Sequence, residues 1–267
     1  MPPSALDTLR YDCALGELPP ELASAFTQLA PDDATRSFLE RTPHGKTSTL
    51  LRTALGSVLS DYDANALLDF YPMHLLSTAQ WRLLLGERGD ARLLDIGAGS
   101  GDVTSALAPM FTEVVTTETS RGMARRLRGR GYVCHLLDVA ETALPAASVD
   151  RFDVVSLLHV IDRARLPLAL LERAAALVAP GGRLVVATPL PLSTHVHVAG
   201  GTVDAEEVLP RDDEATTWEA ALASLVTRVL EPLGLAVERF ARAPYLSRGD
   251  SDAPIYVLDD AIVVLRR

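Results

Sequence analysis

The sequence predicts an α/β protein with a mostly parallel sheet that is covered by helices on both faces. From about residue 91 onward, short apolar runs alternate with helical stretches, which is typical of parallel strands joined by crossover helices. A glycine-rich turn, GAGSG at residues 97–101, follows the first of these runs and precedes a helical stretch. Before that region the spacing of apolar residues is only helical. We therefore expect an N-terminal helical region over residues 1–85 and an α/β domain over residues 86–267.

Strands are predicted at short apolar runs, and helices where apolar residues recur every three or four positions. The predicted strands are RLLDI (92–96), EVVTTE (113–118), GYVCHLL (131–137), FDVVSLL (152–158), RLVVAT (183–188), LAVERFA (235–241) and YVLDDAIVVL (256–265). The predicted helices lie near residues 102–109, 120–129, 167–178 and 217–231. No helical stretch separates the last two strands, so the final strand is expected to run antiparallel to its neighbours.

The N-terminal region contains three helical patterns. Residues 24–42 show helical spacing, with Asp32 or Asp33 as the N-cap of a helix. Residues 46–72 have a similar pattern, and residues 77–89 form a third, which Ser77 is expected to cap.

The composition argues against several classes of function. The formal net charge is −10, whereas nucleic-acid binding needs clustered Lys and Arg. Cys13 and Cys134 are the two cysteines, too few for a disulfide framework or a CxxC metal site. The sequence shows no secretory h-region and no run of about 18 uncharged apolar residues. We expect a protein of the reducing cytoplasm with no membrane span, no nucleic-acid partner and no bound metal.

The glycine turn and two acids suggest a nucleotide-like cofactor. Gly97, Gly99 and Gly101 allow a close approach of the backbone to a ligand, and the following helix offers free N–H groups. Such a turn alone is equally compatible with a purely structural role. However, Glu118 ends the second predicted strand, where a carboxylate accepts hydrogen bonds from ribose hydroxyls. Asp138 follows the third strand, where it could accept from an adenine amino group.

In this combination the sequence resembles the class I methyltransferases. The resemblance is carried by LLDIGAGSG, with Asp95 two residues before the first glycine, by the two strand-end acids and by LVAPGGRLVV. It implies a Rossmann-like, seven-stranded mostly parallel sheet and S-adenosylmethionine as the cofactor. A nicotinamide enzyme would more often show GxGxxG. The cofactor-binding residues that the resemblance implies are Asp95, Gly97, Ala98, Gly99, Gly101, Glu118, Thr119, Asp138 and Val139.

A closer resemblance is to the DREV family, also called methyltransferase-like protein nine. It is carried by LLDIGAGSGDVT, TETSRGM, IDRARLPLALL and the C-terminal PYL…GD…YVLDDA. The resemblance implies methylation of protein histidine at the pros nitrogen, Nδ1, in short His-x-His sequences. Three positions depart from the family pattern: Ser100 replaces an acid, His159 replaces Asn, and PLSTHVHVAGG replaces a PYVE-like segment.

The segment SLLHVIDRARLP (156–167) supplies the candidate catalytic residues His159 and Asp162. We expect Asp162 to accept the substrate Nε2–H, so that Nδ1 is free to react, and to stabilise the ring as it becomes cationic. His159 would hold a second polar group of the substrate or orient Asp162. Alternatively, Asp162 caps the helix beginning near Leu166 or pairs with Arg163. By resemblance Tyr245 is expected to line the substrate site, although a packed aromatic residue is an equal alternative.

The sequence contains a His-x-His of its own, His195-Val196-His197. A short strand or loop with exposed histidines is the simpler interpretation. Self-methylation or contact with the substrate are the alternatives, and a metal site lacks a third ligand. Two other functions remain open at this stage, methylation of a small molecule or natural product and non-enzymatic binding. The natural substrate and the oligomeric state are not predictable from the sequence.

Overall fold

The main element of the fold is an eight-stranded sheet. The computed structural model describes residues 5–41, 72–145, 151–194, 196–198, 201–248 and 255–267. Its strands are β1 Met73–His74, β2 Arg92–Ile96, β3 Glu113–Glu118, β4 Val133–Leu136, β5 Phe152–Leu158, β6 Val178–Pro189, β7 Val196–Val198, β8 Gly201–Val203, β9 Ala236–Arg248 and β10 Ile255–Arg266. Strands β7 and β8 form a separate antiparallel hairpin, and the other eight form the sheet.

The strand order confirms the predicted α/β fold with a mostly parallel sheet. The order is β1-β9-β10-β6-β5-β2-β3-β4, and the block from β6 to β4 is entirely parallel. Strand β10 is antiparallel to both of its neighbours, as expected. The sheet has one strand more than predicted, because Met73–His74 pairs with β9 and covers its outer edge.

Six of the seven α-helices within the described residues occupy predicted positions, whereas the first was not predicted. They are α1 Pro20–Ser24, α2 Asp33–Arg41, α3 Thr78–Leu85, α4 Asp102–Leu107, α5 Arg121–Gly129, α6 Pro167–Leu177 and α7 Trp218–Leu225. Asp32 caps α2 by accepting from the Thr35 amide at 3.0 Å. Ser77 and Gln80 form a reciprocal capping box at the start of α3. The helix predicted over residues 46–72 lies almost wholly outside the described residues.

The two faces of the sheet bury two separate cores. Leu94 and Leu157 pack on one face with side chains of α6 and α7. Leu93 and Leu158 pack on the other face with side chains of α3 and α4. Adjacent strand residues thus alternate between the cores, as a pleated strand requires. Helices therefore cover both faces, as predicted. No helix within the described ranges is long and apolar enough to cross a bilayer.

The N-terminal region contributes side chains to both cores. Leu22 of α1 packs on the α6–α7 face, and Trp81 of α3 is fully buried on the opposite face. The Thr27 amide also donates to the Phe240 carbonyl of β9 at 2.7 Å. A domain boundary at residues 85–86 remains a prediction.

Candidate active site

The glycine turn leaves open space beside its middle glycine. Gly97, Gly99 and Gly101 all have positive φ, at 68°, 56° and 81°. A Cβ at Gly97 would lie 2.9 Å from a Val160 methyl, and one at Gly101 would lie 2.8 Å from a Leu127 methyl. A Cβ at Gly99 would meet nothing within 4 Å. The outer glycines are thus fixed by close packing, whereas Gly99 borders a space that a ligand could fill.

Glu118 is held against this turn by backbone amides. One carboxylate oxygen accepts from the Gly99 amide at 2.9 Å, and the other accepts from Thr119 at 2.8 Å and Ser120 at 2.9 Å. Ser120 also caps α5, with its hydroxyl accepting from the Met123 amide at 3.2 Å. These three hydrogen bonds therefore orient the Glu118 carboxylate beside the open space.

Asp95 lies in the interior, beneath the turn. Its two carboxylate oxygens accept from the hydroxyls of Ser156, at 2.7 Å, and Thr104, at 2.6 Å. Burial raises the pKa of Asp95 to about 6, although the two hydroxyl hydrogen bonds act in the opposite direction. Asp95 thus joins β2 to β5 and α4, and both of its oxygens are engaged by protein groups.

The remaining predicted cofactor residues lie on the same edge of the sheet. Asp138 follows β4 and accepts from the Ala140 amide at 2.8 Å, while Val139 is buried. Thr119 is exposed next to Glu118, and Ala98 packs against α5 and β4. Because β2, β3 and β4 are parallel neighbours, these residues follow strand ends on one edge of the sheet. Their binding roles remain a prediction.

His159 has a left-handed backbone and pairs with an acid that we did not predict. Its φ is 59°, a conformation in which His, Asn and Asp are the usual non-glycine residues. Strand alternation would place its side chain on the same face as Leu157. Instead, the imidazole Nε2 contacts the Asp260 carboxylate, and the ring stacks on Tyr245 with centroids 3.7 Å apart. The left-handed backbone therefore directs the ring to the opposite face of the sheet, where it meets Tyr245 of β9 and Asp260 of β10.

Asp260 is fully buried, and its environment makes its charge costly. Its pKa is raised by burial, with the neighbouring His159 acting in the opposite direction. The second carboxylate oxygen, Oδ1, and the Nδ1 atom of His159 are both buried without a hydrogen-bond partner among the described residues. The pair therefore carries two unused buried polar atoms in the same region.

Asp162 also carries a buried atom without a partner. The residue is 6% exposed; Oδ2 accepts from Arg163 Nε at 3.3 Å, and Oδ1 has no partner in the described part of the chain. The helix-cap alternative is wrong, because the Leu168 and Ala169 amides at the start of α6 donate to Glu207, at 2.8 and 3.1 Å. Pairing with Arg163 is present, but it engages only one oxygen.

Tyr245 connects this region to the glycine turn through Met73. Its ring is 5% exposed, and its hydroxyl donates to the Met73 thioether. The Met73 amide in turn donates to Asp102, the first residue of α4, at 3.3 Å. Burial raises the pKa of Tyr245. The hydroxyl is thus engaged by β1, and the face of the ring supports His159.

The segment 159–162 and the glycine turn are in contact. Val160 packs on Gly97, so His159 and Asp162 project from a loop that lies directly against the turn. Sequence reasoning placed these residues correctly at the end of β5 but missed Asp260 and Met73. An acidic residue within the apolar run LDDAIVVL indicates a buried carboxylate, and this could have identified Asp260. Strand β1 has two residues, which are too few to show an alternating pattern that would have identified Met73.

Val196 and His197, the last two residues of the chain's His-x-His, lie on β7 of the β7–β8 hairpin. His197 pairs with Thr202 in this hairpin, which agrees with a short strand. His195 lies outside the described residues. Within those that are described, no group of three His, Cys, Asp or Glu side chains could hold a metal ion.

Several solved structures resemble this fold at low sequence identity. The N-methyltransferase NodS from Bradyrhizobium japonicum WM9, in complex with S-adenosyl-L-homocysteine, is 14% identical, with a TM-score of 0.46; the match covers 88% of this chain and 99% of NodS. The YcgJ protein from Bacillus subtilis is 13% identical, with a TM-score of 0.47, over 71% of this chain and 97% of YcgJ.

The family comparison covers nearly the whole chain. Residues 11–267 match the DREV methyltransferase family. The match includes the glycine turn, the loop after β5 and both C-terminal strands. The chain therefore belongs to the DREV methyltransferase family, and its cofactor is S-adenosylmethionine.

Proposed function

We propose that this methyltransferase modifies protein or peptide histidine, at the pros nitrogen Nδ1, in His-x-His sequences. The observation that carries the proposal is the Oδ1 atom of Asp162, a buried carboxylate oxygen without a donor among the described residues. A buried acceptor of this kind is costly unless a ligand supplies the missing donor. An N–H of a substrate imidazole is such a donor.

The residues of the glycine turn fit the cofactor. S-adenosylmethionine supplies an electrophilic methyl group when it is bound. The open space beside Gly99 and the oriented carboxylate of Glu118 fit its amino acid and ribose portions. Asp138 lies at the end of the neighbouring strand, where it would accept from the adenine amino group. Asp95 supports the turn from beneath, because its oxygens are already engaged by Ser156 and Thr104.

Asp162 would select the reactive tautomer of the substrate. A neutral imidazole carries one hydrogen, and only the nitrogen without it has a lone pair to attack a methyl group. Because the reference pKa of imidazole is about 6.5, most substrate is already neutral near pH 7. By accepting the Nε2–H, Asp162 leaves Nδ1 bare. As the nitrogen–carbon bond forms and the sulfur–carbon bond breaks, the ring becomes cationic, and the carboxylate stabilises that charge. The Asp162 carboxylate then takes up the Nε2 proton, which leaves the methylated ring neutral.

His159 and Tyr245 would form the wall of the same site. The stacked rings are almost fully buried, and Asp162 lies close enough to influence the ionisation of both Tyr245 and Asp260. Asp162 and Asp260 each have one buried carboxylate oxygen without a donor among the described residues. Such a site favours a ligand rich in N–H donors over one that presents only acceptors.

The test is methylation of a peptide panel with isotopically labelled cofactor. Three kinds of peptide would be compared. The first contains His-x-His, the second has one of the two histidines replaced by Phe, and the third has one histidine replaced by Lys or Arg. Fragmentation by mass spectrometry would locate the methyl group, and comparison with 1-methyl- and 3-methylhistidine standards would identify the nitrogen. We expect Nδ1 methylation of His-x-His. Methylation of a small-molecule panel with no peptide product would instead establish the alternative, a small-molecule methyltransferase.

A further inference from the structure

The His159–Asp260 pair carries an inference about how the substrate is selected. Asp260 is 0% exposed and His159 is 7% exposed, so water does not compete for their contact. The contact joins Nε2 to a carboxylate oxygen, and the stacked ring of Tyr245 prevents the imidazole from rotating freely. Two residues that are 101 positions apart in the chain are therefore held in one arrangement.

The hydrogen-bonding pattern favours one tautomer of His159. An ionised Asp260 only accepts, so Nε2 would carry the hydrogen, whereas a protonated Asp260 could donate to Nε2 only if the ring hydrogen were on Nδ1. If Nδ1 also carried a hydrogen, a buried donor would have no acceptor among the described residues, at a cost of about 1–3 kcal/mol. The neutral ring with Nε2–H avoids this cost and leaves a lone pair on Nδ1.

We propose that Asp260 is a positioning residue that holds His159 as the Nε2–H tautomer, so that its Nδ1 accepts a hydrogen bond from a substrate N–H. Asp260 does not itself touch the substrate. It acts through His159, in the way that the aspartate of a Ser-His-Asp triad fixes the tautomer of its histidine. The role of the substrate N–H rests on the proposed function, whereas the tautomer of His159 does not.

The consequence is a site with two acceptors for two donors. Asp162 Oδ1 and His159 Nδ1 are both buried and unpartnered among the residues that the structure describes. A His-x-His peptide offers two imidazoles, one for each acceptor. A peptide in which the second ring is Phe would leave His159 Nδ1 without a donor. Because rejection by unpaired buried polar groups is strong, His159 and Asp260 would contribute specificity for the second histidine.

The tautomer can be measured without any substrate. Imidazole nitrogen-15 chemical shifts distinguish protonated from bare nitrogens. The His159 signals are identified as those missing from the spectrum of the His159→Asn variant, because Asn also tolerates a left-handed backbone. We expect Nε2–H and a bare Nδ1 in the wild type. Asp260→Asn can turn its amide N–H₂ toward the ring, which would shift the hydrogen to Nδ1. A wild-type ring with hydrogen on Nδ1 would overturn the proposal, whatever the enzyme methylates.

Asp259→Asn is the matched control. It removes the neighbouring carboxylate of β10, which pairs with Arg242 rather than with His159. We expect the His159 tautomer to be unchanged in this variant. A shift of the tautomer in both variants would show a general effect of altering β10 and would also contradict the proposal. Because the wild-type spectrum is decisive by itself, the test survives if Asp260→Asn does not fold.

A kinetic comparison tests the specificity. The ratio of kcat/KM for a His-Ala-His peptide and for one with the non-reacting histidine replaced by Phe would be measured in each variant. We expect a preference of roughly tenfold or more in the wild type, and its loss in Asp260→Asn and His159→Asn but not in Asp259→Asn. An undiminished preference in Asp260→Asn would contradict the proposal. Absence of peptide methylation in the wild type would contradict the proposed function and leave the tautomer result standing.

Discussion

Asp259 and Asp260 are consecutive residues of β10 whose carboxylates pair with bases on opposite faces of the sheet. Asp259 contacts the Arg242 guanidinium through both oxygens, at 2.8 and 2.6 Å, and Arg242 stacks over Trp218. Asp260 contacts His159 on the other face. Because successive strand residues alternate between faces, the same two-residue motif serves the α6–α7 core on one side and the candidate active site on the other.

The Arg242 side of this motif secures the N-terminal segment. Arg242 is 6% exposed and also donates to the Asp12 carbonyl, at 3.2 Å. Glu219 of α7 accepts from the Ala14 amide at 2.9 Å and lies 3.4 Å from the same guanidinium. A buried charge of this kind is tolerated only because several partners compensate for its lost hydration. The cluster therefore explains how residues 12–14 are attached to the sheet.

Replacing Glu118 with Ala should weaken cofactor binding while leaving the fold intact. The variant removes a carboxylate that we expect to accept from the ribose hydroxyls and that also holds the Gly99 amide. Hydrogen bonds to a charged acceptor contribute about 1.5–3 kcal/mol, so the Kd for S-adenosylmethionine should rise by roughly 10- to 150-fold. Isothermal titration calorimetry measures this change.

Glu113→Ala is the control for that experiment. Glu113 begins the same strand, β3, and pairs with Arg92 at the opposite end, at 2.7 Å. Its loss removes a carboxylate of the same type far from the turn, so the Kd should be unchanged. Equal affinity in the wild type and in Glu118→Ala would remove Glu118 from the cofactor site.

Tyr245→Phe should retain most of the activity, and Tyr245→Ala should lose it. The ring supports His159 by stacking, and the hydroxyl is already engaged by Met73. Phe keeps the ring and loses a hydrogen bond to a weak thioether acceptor, so kcat/KM should fall by no more than about threefold. Ala removes the support, so His159 should lose its fixed orientation. Steady-state kinetics on a His-x-His peptide compares the two; a large loss in the Phe variant would assign a direct role to the hydroxyl.

The local parts of the fold and site were predictable from the sequence. The strand β2, the glycine turn and the helix α4 follow from the spacing of apolar residues and from the positions of the glycines. Both features are contained in residues 93–107. The ends of β3 and β4, with Glu118 and Asp138, follow from the same short-range patterns. Asp162 at the end of β5 was also predictable, because a change from apolar to polar residues marks a strand end.

The long-range parts were not predictable. His159 contacts Asp260 because β6 is the one strand between β5 and β10 in the sheet. The order of strands in a sheet cannot be predicted from the local spacing of apolar residues. The left-handed backbone of His159 then reverses the side that alternation would predict. Met73 reaches Tyr245 from a strand of two residues, which is too short to show any period.

The stability of the protein should depend on pH through Asp95. Burial raises its folded-state pKa to about 6, above the value of about 3.9 expected in the unfolded chain. Between pH 4 and 6 the folded state therefore binds more protons than the unfolded state, and stability falls as pH rises. Above pH 6 Asp95 is ionised in both the folded and the unfolded state. Burial of its charge then lowers the free energy of unfolding by on the order of 2–3 kcal/mol.

Asp95→Asn isolates this effect, because its side chain stays neutral at every pH. The unfolding free energy of the variant minus that of the wild type should increase by on the order of 2–3 kcal/mol between pH 4 and pH 7. Other titrating groups cancel in this difference when they are not coupled to Asp95. Urea unfolding at several pH values provides the measurement. A difference that stays constant with pH would show that Asp95 has an ordinary pKa in the folded protein.

Asp162→Asn should abolish most methyl transfer without weakening cofactor binding. The side chain is buried and keeps its size, but the amide has no charge and can present a donor where an acceptor is needed. Selection of the substrate tautomer and stabilisation of the cationic ring would both be lost. We expect kcat on a His-x-His peptide to fall by about 10²-fold or more, within the usual range for one positioned acid–base group.

The matched control for Asp162→Asn is Asp153→Asn at the opposite end of β5. Asp153 accepts from the Arg92 amide at 2.8 Å, away from the loop that carries His159 and Asp162. Its loss should lower stability slightly and leave kcat within about twofold of the wild type. Calorimetry on both variants should give the wild-type Kd for S-adenosylmethionine. If Asp162→Asn turns over at the wild-type rate at neutral pH, its buried oxygen has no part in the reaction, and Asp162 serves only to hold Arg163.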